Sequence, residues 1–259
     1  DPLSLLQKNH LLEAVKEWDK EASSKKVSQN KLRAVKGQAI AYFKLGSLYQ
    51  QLQNFSFALA EEYYKAIGKN TPTPTLTLYQ AELEFYKGNY AVALKKFEKV
   101  ILDKNSSGKV KDFAKVFRHF SLNKLRNKTL KLVLNTKYPQ VKWQILQLSP
   151  KPEIPRDLEA HDSRSIRNQL DLLMREKKVD EKKIKASLEK LLKSTDYAEV
   201  ILNRGKLTQV NFYDPMMLKT VSDAFFHLSK IKNEELKDYE SRYPTLAKKF
   251  NTNLSLAEV

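Results

Sequence analysis

The sequence predicts an all-α fold, and three observations carry that expectation. Gly and Pro are scarce for a chain of 259 residues, at six and nine. Most charged and long-chain residues are good helix formers. Apolar residues recur at the three- and four-residue spacing of an amphipathic helix through most of the chain.

The elements follow in order. Leu11, Ala14, Val15, Trp18 and Ala22 fall on one face of a first helix. Gln29 to about Leu52 reads as a second and Phe55 to Ile67 as a third, closed at Gly68. The breaker-rich Lys69–Thr75 connects these to a helix over Leu76–Lys87 and its partner over Ala91–Leu102. Lys109–Arg126 is amphipathic, with Phe113, Val116, Phe117 and Phe120 on its apolar side. Asn127–Leu148 is ambiguous: Tyr138-Pro139 interrupts it, and the run after it suits helix or strand.

Ser149–Pro155 holds three prolines in seven residues, the composition of an extended connection. The expected organisation is therefore a helical domain over 1–148, a linker over 149–155 and an all-helical domain over 156–259. In the last, Asp162 or Ser163 caps a helix striped by Ile166, Leu170, Leu173 and Met174. Asp180 opens another, Asp196–Asn203 is short, and Asp214-Pro215 starts a helix with Leu218, Val221, Phe225 and Leu228 inward. Asn233–Tyr243 and Thr245–Phe250 complete the expected set.

Two stretches align with each other. Leu45-Gly46, Tyr49, Asn54-Phe55 and Ala58 recur as Ala81, Asn89-Tyr90 and Ala93, with Phe97 following. This pattern resembles the tetratricopeptide repeat, a helix-turn-helix unit of about 34 residues. The resemblance covers Ala39 to about Ser107. It implies that Gly46/Ala58 and Ala81/Ala93 let paired helices approach, that Gly88 ends one helix and Asn89 caps the next, and that Phe97 packs into the following unit. Leu11–Ala22 and Lys109–Leu134 would then be flanking helices of a curved superhelix.

The resemblance also implies a partner-binding groove lined by the first helix of each unit. Carried over, the groove residues are Phe43, Ser47, Gln50, Leu78, Glu82, Phe85 and Tyr86. Their mixed apolar character fits an apolar or helical segment of a protein partner. They lack the cationic set that clamps a C-terminal carboxylate in the chaperone-binding subfamily.

Net charge is +17. The cations concentrate in Lys109–Lys142, with Lys111, Lys115, Arg118, Lys124 and Arg126 as the expected basic patch and Phe117, Phe120, Tyr138 and Trp143 interleaved. Such a surface attracts an acidic protein, an anionic surface or nucleic acid. A basic helical module is thus the alternative to a protein-binding scaffold.

Chemistry is not visible. The chain has no Cys and four scattered His, and it lacks a Gly-rich phosphate loop and any nucleophile or zinc motif. The expectation is a non-catalytic protein without cofactor or metal. No run of about 18 apolar residues is present, so no membrane span is expected. Zero Cys fits an envelope compartment as well as the cytosol. With Asp at position 1, the expected setting is a periplasmic one, after removal of a leader, within a larger bacterial-envelope assembly.

Overall fold

The computed structural model describes residues 2–68, 73–194 and 214–251, and every regular element among them is a helix. The expected Asp196–Asn203 segment lies outside the described residues. In order they are α1 (Pro2–Ala22), α2 (Gln29–Gly68), α3 (Pro74–Tyr86), α4 (Tyr90–Leu102), α5 (Gly108–Leu125), α6 (Pro139–Leu148), α7 (Ser163–Met174), α8 (Glu181–Ser194), α9 (Met217–Arg242) and α10 (Pro244–Asn251). None of these helices is long and apolar enough to cross a membrane.

The largest departure from expectation is α2, a single helix of 40 residues. The expected turn at Asn54-Phe55 does not form. Residues 51–57 contain neither Gly nor Pro, so nothing local breaks the helix. Gly46 and Ala58 therefore lie on one helix, roughly 18 Å apart along its axis, and cannot meet across a crossing.

α9 packs along α2 in the opposite direction. Ser229 Oγ donates to the Ala39 carbonyl at 2.7 Å, Ser222 Oγ to the Gly46 carbonyl at 2.6 Å, and Gln53 Nε2 to the Pro215 carbonyl at 2.7 Å. Each step is seven residues along both segments, Pro215 lying two residues before α9; this is the heptad spacing that keeps one seam facing a partner helix. Tyr42, Tyr49 and Phe225 fill the layers between, with ring centroids 6.1 and 5.6 Å apart. Gly46 is needed for this approach: a Cβ there would come within 2.8 Å of the Phe226 ring.

The second expected hairpin does form. α3 and α4 pack against each other, with Ala81 and Ala93 both fully buried in one cluster. α3 ends at Gly88, whose φ of +85° suits glycine. The Gly88 N–H donates to the Phe85 carbonyl at 3.0 Å and the Asn89 N–H to the Glu84 carbonyl at 2.9 Å, a Schellman ending. Asn89 precedes α4 without capping it: its side-chain amide donates instead to the Glu84 carboxylate at 2.7 Å. Phe97 stacks on Phe117 of α5, rings 5.4 Å apart and 11° from parallel.

Since a Cβ at Gly88 would touch nothing, Gly88→Ala isolates the backbone cost. It should lower stability by about 1 kcal/mol. Asn127, with φ +48°, ends α5 in the same manner, so Asn127→Gly should leave stability level or raise it. Urea midpoints of the two variants check both signs.

The remaining differences lie between α5 and the C-terminal helices. Residues 127–138 form no helix, so the flanking helix expected up to Leu134 stops at Leu125; α6 then begins with Pro139 at its first turn. Ser149–Pro155 is irregular, as expected, but it does not divide the core. One cluster draws on both sides of it, joining Tyr42, Leu45 and Tyr49 with Leu170, Leu188 and Phe225. A second cluster, around Phe97, Phe113 and Phe117, unites α3 to α6. A third joins α1 and the start of α2 to the end of α9 through Leu32, Val35 and Leu236. α3 lies between the first two, giving Tyr79 and Leu83 to one and Leu78, Ala81 and Phe85 to the other. Finally, Asn233–Tyr243 continues α9 without interruption as far as Arg242.

Candidate functional site

α7 is buried on nearly every side, although its sequence is polar. Asp162 fixes its start, accepting from the Ser165 N–H at 3.2 Å. Arg164 and Arg167 point away from the apolar stripe into the space among α3, α5, α6 and the start of α9. Arg167 is fully buried. Its Nε and Nη2 donate to the Asp214 carboxylate at 2.7 and 3.1 Å, and its Nη1 donates to Asp171 at 2.8 Å. The paired donors match the carboxylate fork.

Arg164 faces the other way. It donates to the fully buried carboxylate of Glu82 on α3. Its Nε and Nη2 also reach Gln144 Oε1 at 3.2 and 3.0 Å. Its guanidinium lies over the Phe113 ring, 4.5 Å from the centroid. Gln144 bonds Gln147 at 3.0 Å, and Gln147 bonds Asp171 at 3.2 Å. Thr220 of α9 donates to the same carboxylate at 2.9 Å. The network thus runs without a break from Glu82 to Asp214.

Three carboxylates face two guanidiniums here, and the electrostatics follow. Burial pushes the Glu82 carboxyl up against the pull of Arg164, with Asp214 adding to the rise. Burial works against charge on both arginines, yet Glu82 and Asp214 hold Arg164 charged, and Asp214 and Asp171 hold Arg167. Burial also raises the Tyr86 phenol, whose buried hydroxyl has no partner among the described residues.

Above this network a cleft of about 380 Å³ opens between the end of α7 and the start of α9. Asp171, Thr220 and Gln147 form its floor, while Met174, Met216 and Phe226 line its apolar sides. At the rim Lys219 pairs with Asp223 at 2.6 Å. Met side chains adapt to irregular apolar shapes. Next to it, the Phe226 ring rests on Gly46 and meets Phe43 edge to face at 5.4 Å. Phe43 is 58% exposed, an aromatic ring given to solvent beside a cleft of mixed polar and apolar lining.

The seven expected groove residues do not share one surface. Phe43 and Gln50 are exposed on α2, and Ser47 is half-buried with its hydroxyl donating to the Phe43 carbonyl at 3.1 Å. Leu78, Glu82 and Phe85 are core residues, and Tyr86 is half-buried. The physical reason is that this chain fills the inner side of α3 itself. Arg164 takes the Glu82 carboxylate, and Phe117 packs edge-on against Phe85 and Tyr86 at 5.2 and 6.0 Å.

In the expected basic patch, Lys115, Arg118, Lys124 and Arg126 are exposed and Lys111 is half-buried. Lys111, Lys115 and Arg118 share one side of α5. Lys124, six residues beyond Arg118, projects to the opposite side. Lys115 lies 3.7 Å from Asp112, and Arg118 3.4 Å from Glu98. The interleaved aromatics are packing residues: Phe117, Phe120 and Trp143 are buried and Tyr138 is half-buried. Trp143 Nε1 donates to the Glu159 carbonyl at 3.0 Å.

Sequence reasoning missed Arg164, Arg167, Asp171 and the ionic role of Asp214. Helical periodicity assigns charged positions to solvent, and Glu82 stands 82 residues from its partner. The only local signal was Asp171, four residues after Arg167. Among the described residues, no group of three or more His, Asp or Glu is placed to hold a metal ion. The chain matches no family model, no curated protein and no solved structure.

Proposed function

We propose that this protein is a non-catalytic, tetratricopeptide-like helical scaffold that holds an apolar segment of a partner protein. The reading rests chiefly on one observation: exposed Phe43 stands against Phe226 at the edge of a Met-lined cleft. An exposed aromatic beside a cleft that joins adaptable Met side chains to a few polar groups is the usual anatomy of a peptide-binding anchor site. The rigid ionic floor beneath suits such a role, because it fixes α7 and α9 without occupying the opening.

In this reading the α3–α4–α5 hairpins act as the supporting frame. The partner lies across the Phe43 side of α2 and into the α7–α9 cleft.

Panning a displayed library of random peptides against the folded protein tests this. Peptides with two apolar side chains one helical turn apart should be enriched. Met216→Glu and Phe43→Ser should each weaken the selected peptides about tenfold. Enrichment indifferent to both substitutions would remove the cleft from consideration.

A second reading, an anionic partner, is favoured by a separate feature. Between Asp112 and Glu153 the chain has nine Lys or Arg and no acid.

A further inference from the structure

Residues 128–138 join α5 to α6 without helical structure. From Lys131 onward their exposure alternates. Leu132, Leu134, Thr136 and Tyr138 turn inward, the two leucines and Tyr138 packing on the cluster around Phe117. Lys131, Val133, Asn135 and Lys137 are exposed, and Val133 is 91% exposed. A period of two is the signature of an extended chain.

The segment is anchored at both ends. Asn127 and Lys128 complete the Schellman ending of α5, with the Lys128 N–H on the Asn123 carbonyl at 3.0 Å. The Leu130 carbonyl meets His119 Nε2 at 2.7 Å and accepts from the Asn123 side-chain amide at 3.0 Å. Thr136 Oγ1 donates to Asp112 at 2.7 Å. Between these anchors, among the described residues, no hydrogen bond engages the main-chain N–H or C=O groups of Lys131 through Asn135. An extended chain held in place with its main-chain groups unpaired is a template for another strand.

We propose that Lys131–Asn135 is a docking edge that takes an extended, acidic segment of a partner protein as an added β-strand. This goes beyond the cleft reading and uses none of its residues. Main-chain hydrogen bonds would supply the register, and the outward row would supply the choice of partner. Across from Lys131 and Lys137 the added strand places carboxylates, and across from Val133 an apolar side chain.

Charge selects this occupant over two others. A second copy of the chain brings its own cations to an edge that has no acid between Asp112 and Glu153. Nucleic acid suits the charge but leaves the unpaired amides and Val133 without a role. Nor does it find a stacking platform, because Phe117, Phe120 and Trp143 are buried. The anchors keep the edge ordered beforehand, which reduces the ordering cost of binding.

The experiment uses the full chain and a soluble, end-capped peptide with Glu, Val, Thr and Glu at the outward positions opposite Lys131, Val133, Asn135 and Lys137, and Thr between. At low salt it should bind saturably, and the amides of Lys131–Asn135 should exchange about tenfold more slowly in the complex. N-methylating the peptide amides on its pairing edge should weaken binding about tenfold. In the Lys131→Glu, Lys137→Glu double variant, preference should pass to the same peptide with Lys for Glu. Failure to bind would overturn the proposal. So would binding without slowed exchange, or with the N-methylated peptide equally good, since charge alone would then explain it. Tighter binding of a single-stranded RNA of similar length through the same lysines would assign the surface to nucleic acid. Exchange protection that grows with protein concentration and needs no peptide would assign it to a second copy.

Discussion

Arg167→Met should destabilise the fold by about 3–5 kcal/mol, read as a fall in urea midpoint. The substitution keeps much of the side-chain volume but removes the charge that faces Asp214 and Asp171. Asp214 is 1% exposed at its side chain, so water cannot replace the guanidinium. An unpaired carboxylate in that position must either stay charged in a poor environment or take up a proton. The companion variant separates this cost from packing loss. Replacing Glu82 and Arg164 together by Leu removes both partners of the neighbouring pair, along with most of the need for solvation. That double change should cost far less than Glu82→Leu alone, which strands Arg164. A double variant as damaging as the single one would mean that the network contributes through its shape and not through charge balance.

Phe117→Ala is the other large effect, also about 3–5 kcal/mol. Phe117 is fully buried, and its ring meets those of Phe85, Tyr86 and Phe97. Truncation opens a cavity where α3, α4, α5 and α7 converge, and three rings lose a neighbour at once. Phe97→Ala should cost a similar amount. Because the two rings stack directly, the double variant should cost less than the sum, by about 1 kcal/mol. Strict additivity in the denaturant midpoints would show that the two rings do not act as a unit.

How much of this was legible in the sequence depends on the range of the interaction. Gly88, Asp162 and Asp180 were readable because each acts within a few residues of itself; Asp180 Oδ1 accepts from the Lys182 and Lys183 N–H groups at 3.0 and 3.3 Å. The pairing of Phe97 with the next helix was also readable, from repeat spacing. The continuity of α2 was not. Asn54-Phe55 looks like a turn only if a second hairpin waits to pack there, and here α9 lies alongside instead. The side of α3 expected to line a partner's groove, with Leu78, Glu82 and Phe85, faces the core of this chain instead. Its occupant was misread, because α7 arrives from beyond the Pro-rich connection. Asp214 illustrates the same limit: its place before a helix suggested a cap, and its main-chain carbonyl does accept from the Met217 N–H at 3.2 Å. The carboxylate's main partner is Arg167, 47 residues back.

The seam between α2 and α9 has a consequence for biosynthesis. Its bonds join residues 162 to 190 positions apart in the chain. At ribosomal rates of roughly 5–20 residues per second, α2 leaves the exit tunnel about ten to thirty seconds before its mate. During that interval Tyr42, Leu45 and Tyr49 lack the α9 side of their core, where Phe225 stacks in the finished fold. Native pairing along this seam therefore waits until residues 215–229 have left the ribosome.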